Sequence, residues 1–572
     1  MQHFGILFTM ETWLGTRRAL TVAFAFPLAI AAMSLGTGFV TDDYAFRALL
    51  HSTSTHAPAS WDLFRFVRGD PVESAVAVRF GRLAWWAAPD LKIHFLRPLT
   101  SLLFTADDRL FGDSALGYHA CSLLWFALLL AGIAALYRRI LSPAAATLGL
   151  AAFGLAGAHT QAYAWIAARH VVVGGAAVAW ALALYARGGR ARWLGLIALA
   201  VGLTASEAAL GAVPLWCALT LGDRTRSQRA RVVDCMPAII LGLAYLGVYA
   251  ALGCGTRGSG GYHDPLADPL GFARLAVVRL PILLGDAALG IPAELASRVS
   301  HGAFALVGAA AVAIVLLSWK ATRAGGKVGW LALGGLGALL PGVGGYPAGR
   351  VLLVPDIAFA AVIGVILARG ALAPSMGRVL VVVLAVAHLV WAPVVSLHNM
   401  RLLAHRGRAA DRVAREAMAL TPTGSRAIII AASDPLVFLY PRGVLAQTHP
   451  GAVTCWSVLS AARARHRLTR TRDRAFMLEI VNPPSLREAS FDTLFRAPDR
   501  PLADGDMIEQ CGATIRVAAV RDGRPARIEV SYERQFEDPM LAFLIWRDNH
   551  LERFAMPAVG ETVDLPLSAG PR

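Results

Sequence analysis

Charge is scarce in this sequence. Only 16% of its 572 residues are Asp, Glu, Lys or Arg, against roughly 25% in soluble domains, which excludes an ordinary soluble enzyme. Lysine is nearly missing: three of the 54 basic residues are lysines (Lys92, Lys320 and Lys327) and the rest are arginines, a skew without mechanism of its own. The six cysteines form no C-x-x-C pair and no zinc-like spacing, which excludes zinc-ribbon and thioredoxin-type sites. Cys121, Cys217 and Cys235 lie in or beside apolar segments and read as small core residues, whereas Cys455 and Cys511 would pair if their region faces an oxidising compartment. No repeat of 20–50 residues and no low-complexity tract is present, so a solenoid is excluded.

What is abundant is apolar sequence: 56% hydrophobic residues and a mean hydropathy of +0.54. Most of the chain must face lipid. The net charge of +16 would suggest nucleic acid in a soluble protein, but much of it sits in short loops between apolar runs, where topology explains it. No nucleic-acid partner is expected.

A membrane span needs about 20 mostly apolar residues. The first, near Ala19 to Gly38, follows Arg17 and Arg18 without a small-residue cleavage site and reads as a retained anchor. Further runs lie near 117–137, 143–157, 170–186, 193–205, 208–222, 236–252, 302–319, 328–341, 351–368 and 378–396, giving about eleven transmembrane helices. Trp193 to Gly222 as one helix would be about 45 Å long, too long for one bilayer; a hairpin with its tip at Thr204-Ala205-Ser206-Glu207 resolves this. That reading puts Arg138/Arg139, Arg187/Arg190/Arg192, Arg224/Arg226/Arg229/Arg231, Lys320/Arg323/Lys327 and Arg369/Arg378 on one side, the cytoplasmic one by the positive-inside rule. The long segment 39–116, with eight basic and nine acidic residues, then lies outside. Segment 271–292, interrupted by Arg274, Arg279, Pro281, Asp286 and Pro292, reads as an external or interfacial helix.

The fold class expected is therefore an all-α polytopic membrane domain over 1–398, followed by a soluble, mixed and β-rich extracytoplasmic domain over 399–572. Residues 399–420 read as an arginine-rich amphipathic helix, and Ala427–Ala432, Ile515–Val520, Arg527–Tyr532 and Leu541–Trp546 as strands. In the same domain Arg463, Arg465, Arg467, Arg470, Arg472 and Arg474 crowd into twelve residues; they form either a solvated basic face or an attractor for anionic headgroups or an acidic glycan.

Candidate chemistry gathers at the external face. Asp42 and Asp43 follow the first span directly; adjacent carboxylates raise one another's pKa, so one could serve as a general base, or the pair is a solvated helix end. Arg97-Pro98-Leu99-Thr100, Gly117-Tyr118-His119, His159-Thr160-Gln161 with Trp165 and Arg169-His170, and Ser206-Glu207 place further ionisable groups where apolar helices meet. A structural Arg169–Glu207 ion pair is the plain alternative there. Arg350 begins a span in Tyr346-Pro347-Ala348-Gly349-Arg350-Val351-Leu352-Leu353-Val354-Pro355; a guanidinium so placed suits a phosphate or anchors the interface.

Taken in order, these motifs over roughly residues 20–370 resemble the GT-C superfamily of multi-pass glycosyltransferases, especially bacterial relatives of the TPR-containing protein O-mannosyltransferases. The resemblance implies transfer of a sugar, with inversion, from a polyprenyl-phosphate carrier to a protein, lipid or glycan acceptor hydroxyl at the external face of a bacterial inner membrane. It implies Asp42 as base, Asp43 as its orienting partner, Arg350 as holder of the lipid phosphate, and Arg97, His119, His159, Arg169 and Glu207 as substrate-binding. The chain departs from that pattern. Ala205-Ser206-Glu207 stands for Ser-Lys-Glu, Val351 and Leu353 replace tyrosines, Phe126 replaces a histidine, His170 stands where a small or acidic residue is usual, and no TPR repeats follow. No cofactor is required by the sequence; the two carboxylates leave a divalent ion open, although three or more oxygen ligands are usual. The alternatives are a catalytically degenerate scaffold, a transporter in glycan assembly, or a ligase using a diphosphate-linked donor. A transporter would carry charges near the bilayer midplane and pseudo-repeats, which this sequence does not.

Overall fold

The computed structural model describes residues 13–52, 58–297, 300–322, 327–370, 373–482, 491–567 and 570–571. Arg323, one of the arginines assigned above to the cytoplasmic side, lies outside them. The described part is a helical membrane-type domain followed by β-rich layers. Six helices are long and apolar enough to cross a membrane, the longest covering Gly377–Leu420, and five more apolar helices are 10–17 residues long. Large apolar side chains such as Phe26, Leu124, Ile197, Leu243, Leu306 and Val382 are exposed along these helices. In water a belt of this kind would aggregate; in lipid it is solvated.

Short helices come in pairs that turn at polar tips. The Ala191–Ala205 helix stops where Ser206 goes extended, and its hydroxyl caps Ala208 before the chain returns through Glu207–Gly211 and Ala212–Leu221. Pro143–Leu155 and His170–Arg187 are joined likewise through a compact tip over 156–169. The far ends of these helices carry the arginines: Arg138 and Arg139 close the Ala115–Ile140 helix and Arg187 closes its neighbour. The Pro269–Leu289 helix stays beside the tips at both ends. Near its start Phe272 approaches Gly344, and near its end Asp286 accepts from the Ala293 amide, close to Glu294, which accepts from Gly349.

Three sheets lie beyond the tips. The smallest, β1 (Arg65–Arg68), β2 (Lys92–His94) and β3 (Gly255–Arg257), is antiparallel and joins the segment after the first span to the loop after the Gln228–Ala251 helix. In the C-terminal part β4 (Ser425–Ile429) pairs in parallel with β5 (Val453–Val458) and with β11 (Leu541–Arg547), and β12 (His550–Arg553) adds to β11 antiparallel. The other sheet is antiparallel, in the order β13 (Thr562–Leu565), β6 (Arg465–Arg472), β7 (Ala475–Asn482), β10 (Arg524–Tyr532), β9 (Ala513–Arg521) and β8 (Met507–Gln510). Cys455 and Cys511 form a disulfide, with Cα atoms 5.7 Å apart, that ties one sheet to the other.

The expected boundary at 398/399 meets no break: the Ala392–Leu420 helix runs through it. Its first turn is apolar, and its later turns bury Leu403, Gly407, Ala410, Val413, Ala414 and Ala417, the i, i+3, i+4 stripe of an amphipathic helix. Trp85, Trp86, Leu91 and Ile93 of the long external segment enter the same core as β4, β5 and β11. The C-terminal layers are thus built onto the membrane domain. Gly407 permits the closest approach, since a Cβ there would lie 2.4 Å from the carbonyl oxygen of Phe39.

Candidate functional site

The first span ends in a 3-10 turn, and the chain then reverses through Gly38 and Thr41, both at positive φ (77° and 42°). A β-branched residue at φ +42° is strained, and the residue after it is Asp42, first of the Asp42–Leu50 helix. The two adjacent carboxylates diverge. Asp43 is fully buried and accepts from the amides of Val40 (2.8 Å) and Ala167 (2.7 Å), pinning the end of the first span to the 156–169 tip. Burial pushes its carboxyl up to about 8 against those two amides, with Asp42 raising it further and Arg169 pulling it down. Asp42 is only partly buried. Burial pushes it up to about 6, and the Arg350 guanidinium pulls the other way. Among the described residues Asp42 makes no hydrogen bond, so its oxygens are open to an incoming group.

Arg350 follows Gly349, where a Cβ would lie 2.6 Å from Ala158; glycine lets the two tips touch. Arg350 donates to Gln161 Oε1 (3.0 Å), Gln161 Nε2 donates to Glu294 Oε1 (2.9 Å), and the same oxygen accepts from the Gly349 amide (2.9 Å). This relay holds the guanidinium 5.9 Å from the Trp165 ring. Arg350 and Asp42 are within electrostatic reach of each other and both also act on Tyr262 and Tyr440. Burial raises both phenols, that of Tyr440 well above its usual range. Asp42, Gln161, Trp165, Tyr262, Arg350 and Tyr440 all keep partial exposure, so solvent reaches this group of side chains, the Asp42 recess.

A second cation flanks it. Arg97 forms a two-pronged ion pair with Glu207, its Nε donating at 2.8 Å to Oε2 and Nη2 bonding Oε1, and is sandwiched 4.6 Å from both the Phe64 and Phe95 rings. Tyr262 stacks edge-on against Phe95 at 5.4 Å, which links this pair to the Arg350 side.

Other residues singled out from the sequence stand behind the recess. The alternative of an Arg169–Glu207 pair does not form: Arg169 is fully buried and pairs with Asp107 while donating to the Tyr118 carbonyl (3.2 Å), and Glu207 belongs to Arg97. His119 is fully buried on the Gly38 carbonyl (2.9 Å) and His159 is fully buried on Asp356 (2.9 Å). These three hold helix ends together instead of facing the recess. His170 bonds Ser206 Oγ (3.0 Å) and meets the Phe64 ring, so the Ser206 that stands in place of a lysine has a partner of its own. Phe126 packs on Tyr163, 4.7 Å between centroids, in the helical core. Among the described residues no three His, Cys, Asp or Glu side chains gather as a metal-holding group.

Sequence reasoning missed Tyr262 and Tyr440. Tyr262 follows Gly260-Gly261 in the loop after the Gln228–Ala251 helix, and the tyrosine after two glycines was its only signal. Tyr440 begins a helix, Tyr440–Thr448, whose Gly443 lies against the backbone of Ala45. Nothing in the sequence near Tyr440 announces this docking.

No family model matches the chain, and no curated protein matches it. Six chains among the solved structures match, two of them as follows. One is the Archaeoglobus fulgidus oligosaccharyltransferase tethered to an acceptor peptide containing the NVT sequon, with 12% identity and a TM-score of 0.36 over 77% of this chain. This chain spans 64% of that protein's length. The other is ArnT from Cupriavidus metallidurans bound to undecaprenyl phosphate, with 14% identity and a TM-score of 0.36 over 78% of this chain and 90% of that one. At this level of likeness neither assigns a role to any residue here.

Proposed function

We propose that this chain is an integral membrane glycosyltransferase that moves a sugar from a polyprenyl-phosphate carrier to an acceptor hydroxyl at the extracytoplasmic face. The observation that carries the reading is Asp42: an unpartnered carboxylate, raised to about 6 by burial, within reach of a guanidinium held by its own relay. At neutral pH Asp42 is ionised and still basic enough to accept a proton, the condition for a general base. Asp43, raised to about 8 and bonded to two amides, positions the backbone at Asp42 and takes no part in proton transfer.

In the reaction the acceptor O–H bond breaks toward Asp42 as its oxygen bonds the anomeric carbon. The bond from that carbon to the phosphate oxygen breaks on the opposite face, which inverts the configuration. Negative charge gathers on the departing lipid phosphate, and Arg350, fixed in place beforehand, neutralises it without reorganisation. Arg97 has its charge matched by Glu207 and keeps the Tyr262 wall in place. The isoprenoid tail would lie among the exposed apolar helices.

Sidedness is part of the proposal. The arginines at the far helix ends suit the cytoplasm, the tips and the C-terminal layers then lie outside, and the Cys455–Cys511 disulfide suits an oxidising compartment. In a bacterium that is the outer face of the inner membrane.

The test is turnover of a polyprenyl-phosphate-linked sugar by the full chain in liposomes. Asp42→Asn should abolish release of polyprenyl phosphate while expression and melting temperature persist. Undiminished turnover would remove Asp42 from the mechanism.

A further inference from the structure

A cavity that shares no lining residue with the Asp42 recess lies between the six-stranded sheet and the Trp85-Trp86 segment and has a volume of about 200 Å³. Among the described residues six arginines line it (Arg463, Arg496, Arg500, Arg521, Arg524 and Arg527), and no aspartate or glutamate does. The rest of the lining is chiefly apolar, with Trp86, Leu478, Ile480, Leu502, Pro525 and Ile528 among it. A cavity lined by charge of one sign over an apolar floor is unusual for a purely structural gap.

The arginines divide into two kinds. Arg496 is a strut: it donates to the carbonyls of Trp86 (2.6 Å), Ala87 (3.1 Å) and Arg500 (3.0 Å). Arg500 is paired with Asp90, and Arg527 with Glu479 at 3.1 Å. Arg463 and Arg521 are exposed and make no hydrogen bond or ion pair among the described residues. The same contrast runs through the arginine-rich stretch that begins at Arg463. Arg467 pairs with Asp564, Arg470 with Glu537 and Arg472 with Glu529, so that stretch is mostly a neutralised sheet face. Arg463 is its member that turns to the cavity unpaired.

We propose that this cavity binds an acidic sugar unit, a hexuronate-type residue of a glycan, with its carboxylate on Arg463 and Arg521 and its ring on the apolar floor. A guanidinium grips a carboxylate through two parallel hydrogen bonds, and the C–H faces of a pyranose ring suit indole and aliphatic walls. A volume of about 200 Å³ is of the size of a sugar ring. A bare phosphate would leave the apolar floor unused. The site is independent of the sugar-transfer reading, since its lining shares no residue with the Asp42 recess.

The experiment is calorimetric titration of the full chain in nanodiscs of zwitterionic lipid with cellobiouronic acid and with neutral cellobiose. The acidic disaccharide should bind at least tenfold more tightly than the neutral one. The Arg463→Gln/Arg521→Gln double variant should lose that preference by tenfold or more at an unchanged melting temperature, and Arg467→Gln should leave it intact. If the double variant folds poorly, Arg463→Lys alone serves, and it should lower affinity for the acidic sugar only. Equal binding of both sugars, full affinity in the double variant, or displacement by equimolar inorganic phosphate or phosphatidylglycerol vesicles would each overturn the assignment.

Discussion

Two arginine-lined places in this molecule differ in how their charge is balanced. In the recess at Asp42 every cation has an acid or its relay nearby: Arg350 faces Asp42 and is held through Gln161 to Glu294, and Arg97 is matched by Glu207. In the C-terminal cavity, among the described residues, no acid lines the walls and two arginines are unmatched. Mixed charge held rigidly in a partly dry recess suits moving a proton and stabilising a leaving group. Charge of one sign over apolar walls suits holding an anion and leaving it unchanged.

That comparison can be broken in several ways. The largest effect expected is from Asp42→Asn, which should lower sugar transfer by about 10²–10⁴-fold, the usual worth of a general base, without altering binding of the acidic disaccharide; a turnover assay on liposomes beside the titration separates the two. Asp43→Ala leaves two buried amides without an acceptor and should destabilise the fold by about 1–3 kcal/mol for each, read as a lowered melting temperature in detergent. Arg350→Ala should weaken retention of polyprenyl phosphate by about 10–100-fold, in line with about 1.5–3 kcal/mol for a hydrogen bond to a charged group, measured by native mass spectrometry of the purified chain.

The pH profile sharpens the contrast between the two carboxylates. Transfer should rise with pH through about 6, where Asp42 ionises. Stability should move the other way. Both carboxyls are raised in the fold, to about 6 and about 8 from an ordinary 3.8, so the folded state holds more protons than the unfolded one. The stability they contribute is complete below about pH 4 and is lost as pH climbs through those values. Melting curves from pH 4 to 8 should therefore fall as activity climbs, and Asp42→Asn should flatten the part below 6. The smallest effect belongs to Arg467→Gln: its pairing with Asp564 is exposed, so the melting temperature should stay unchanged.

Much of the architecture was legible in the sequence because it is local. The apolar runs, the turn near Ser206 and the stripe in the helix after Ala392 follow from hydropathy and spacing within one segment. The Cys455–Cys511 disulfide joins the two cysteines that lie outside the apolar runs in the C-terminal part. At the boundary expected at 398/399 the composition changes, yet a helix runs through without interruption, since its hydrogen bonds are internal. The site was legible in part. Asp42 and Arg350 stood out as charges beside apolar runs, and so did His119, His159 and Arg169, which the fold turns inward to hold helix ends. A charge next to a span is expensive in lipid either way, and the sequence does not say whether a substrate or another side chain offsets it.

By itself, then, the sequence determined which segments form apolar helices, which ends carry the arginines, and that a second, β-rich part follows, because each depends on residues within a turn or two of one another. Only the tertiary structure decided that Asp42 is open while Asp43 is taken by the amides of Val40 and Ala167, that Glu207 answers to Arg97, and that Tyr262 and Tyr440 wall the recess. The partner of a buried charge is set by how helices register against one another, and residues a hundred or more positions apart meet only once that packing is complete.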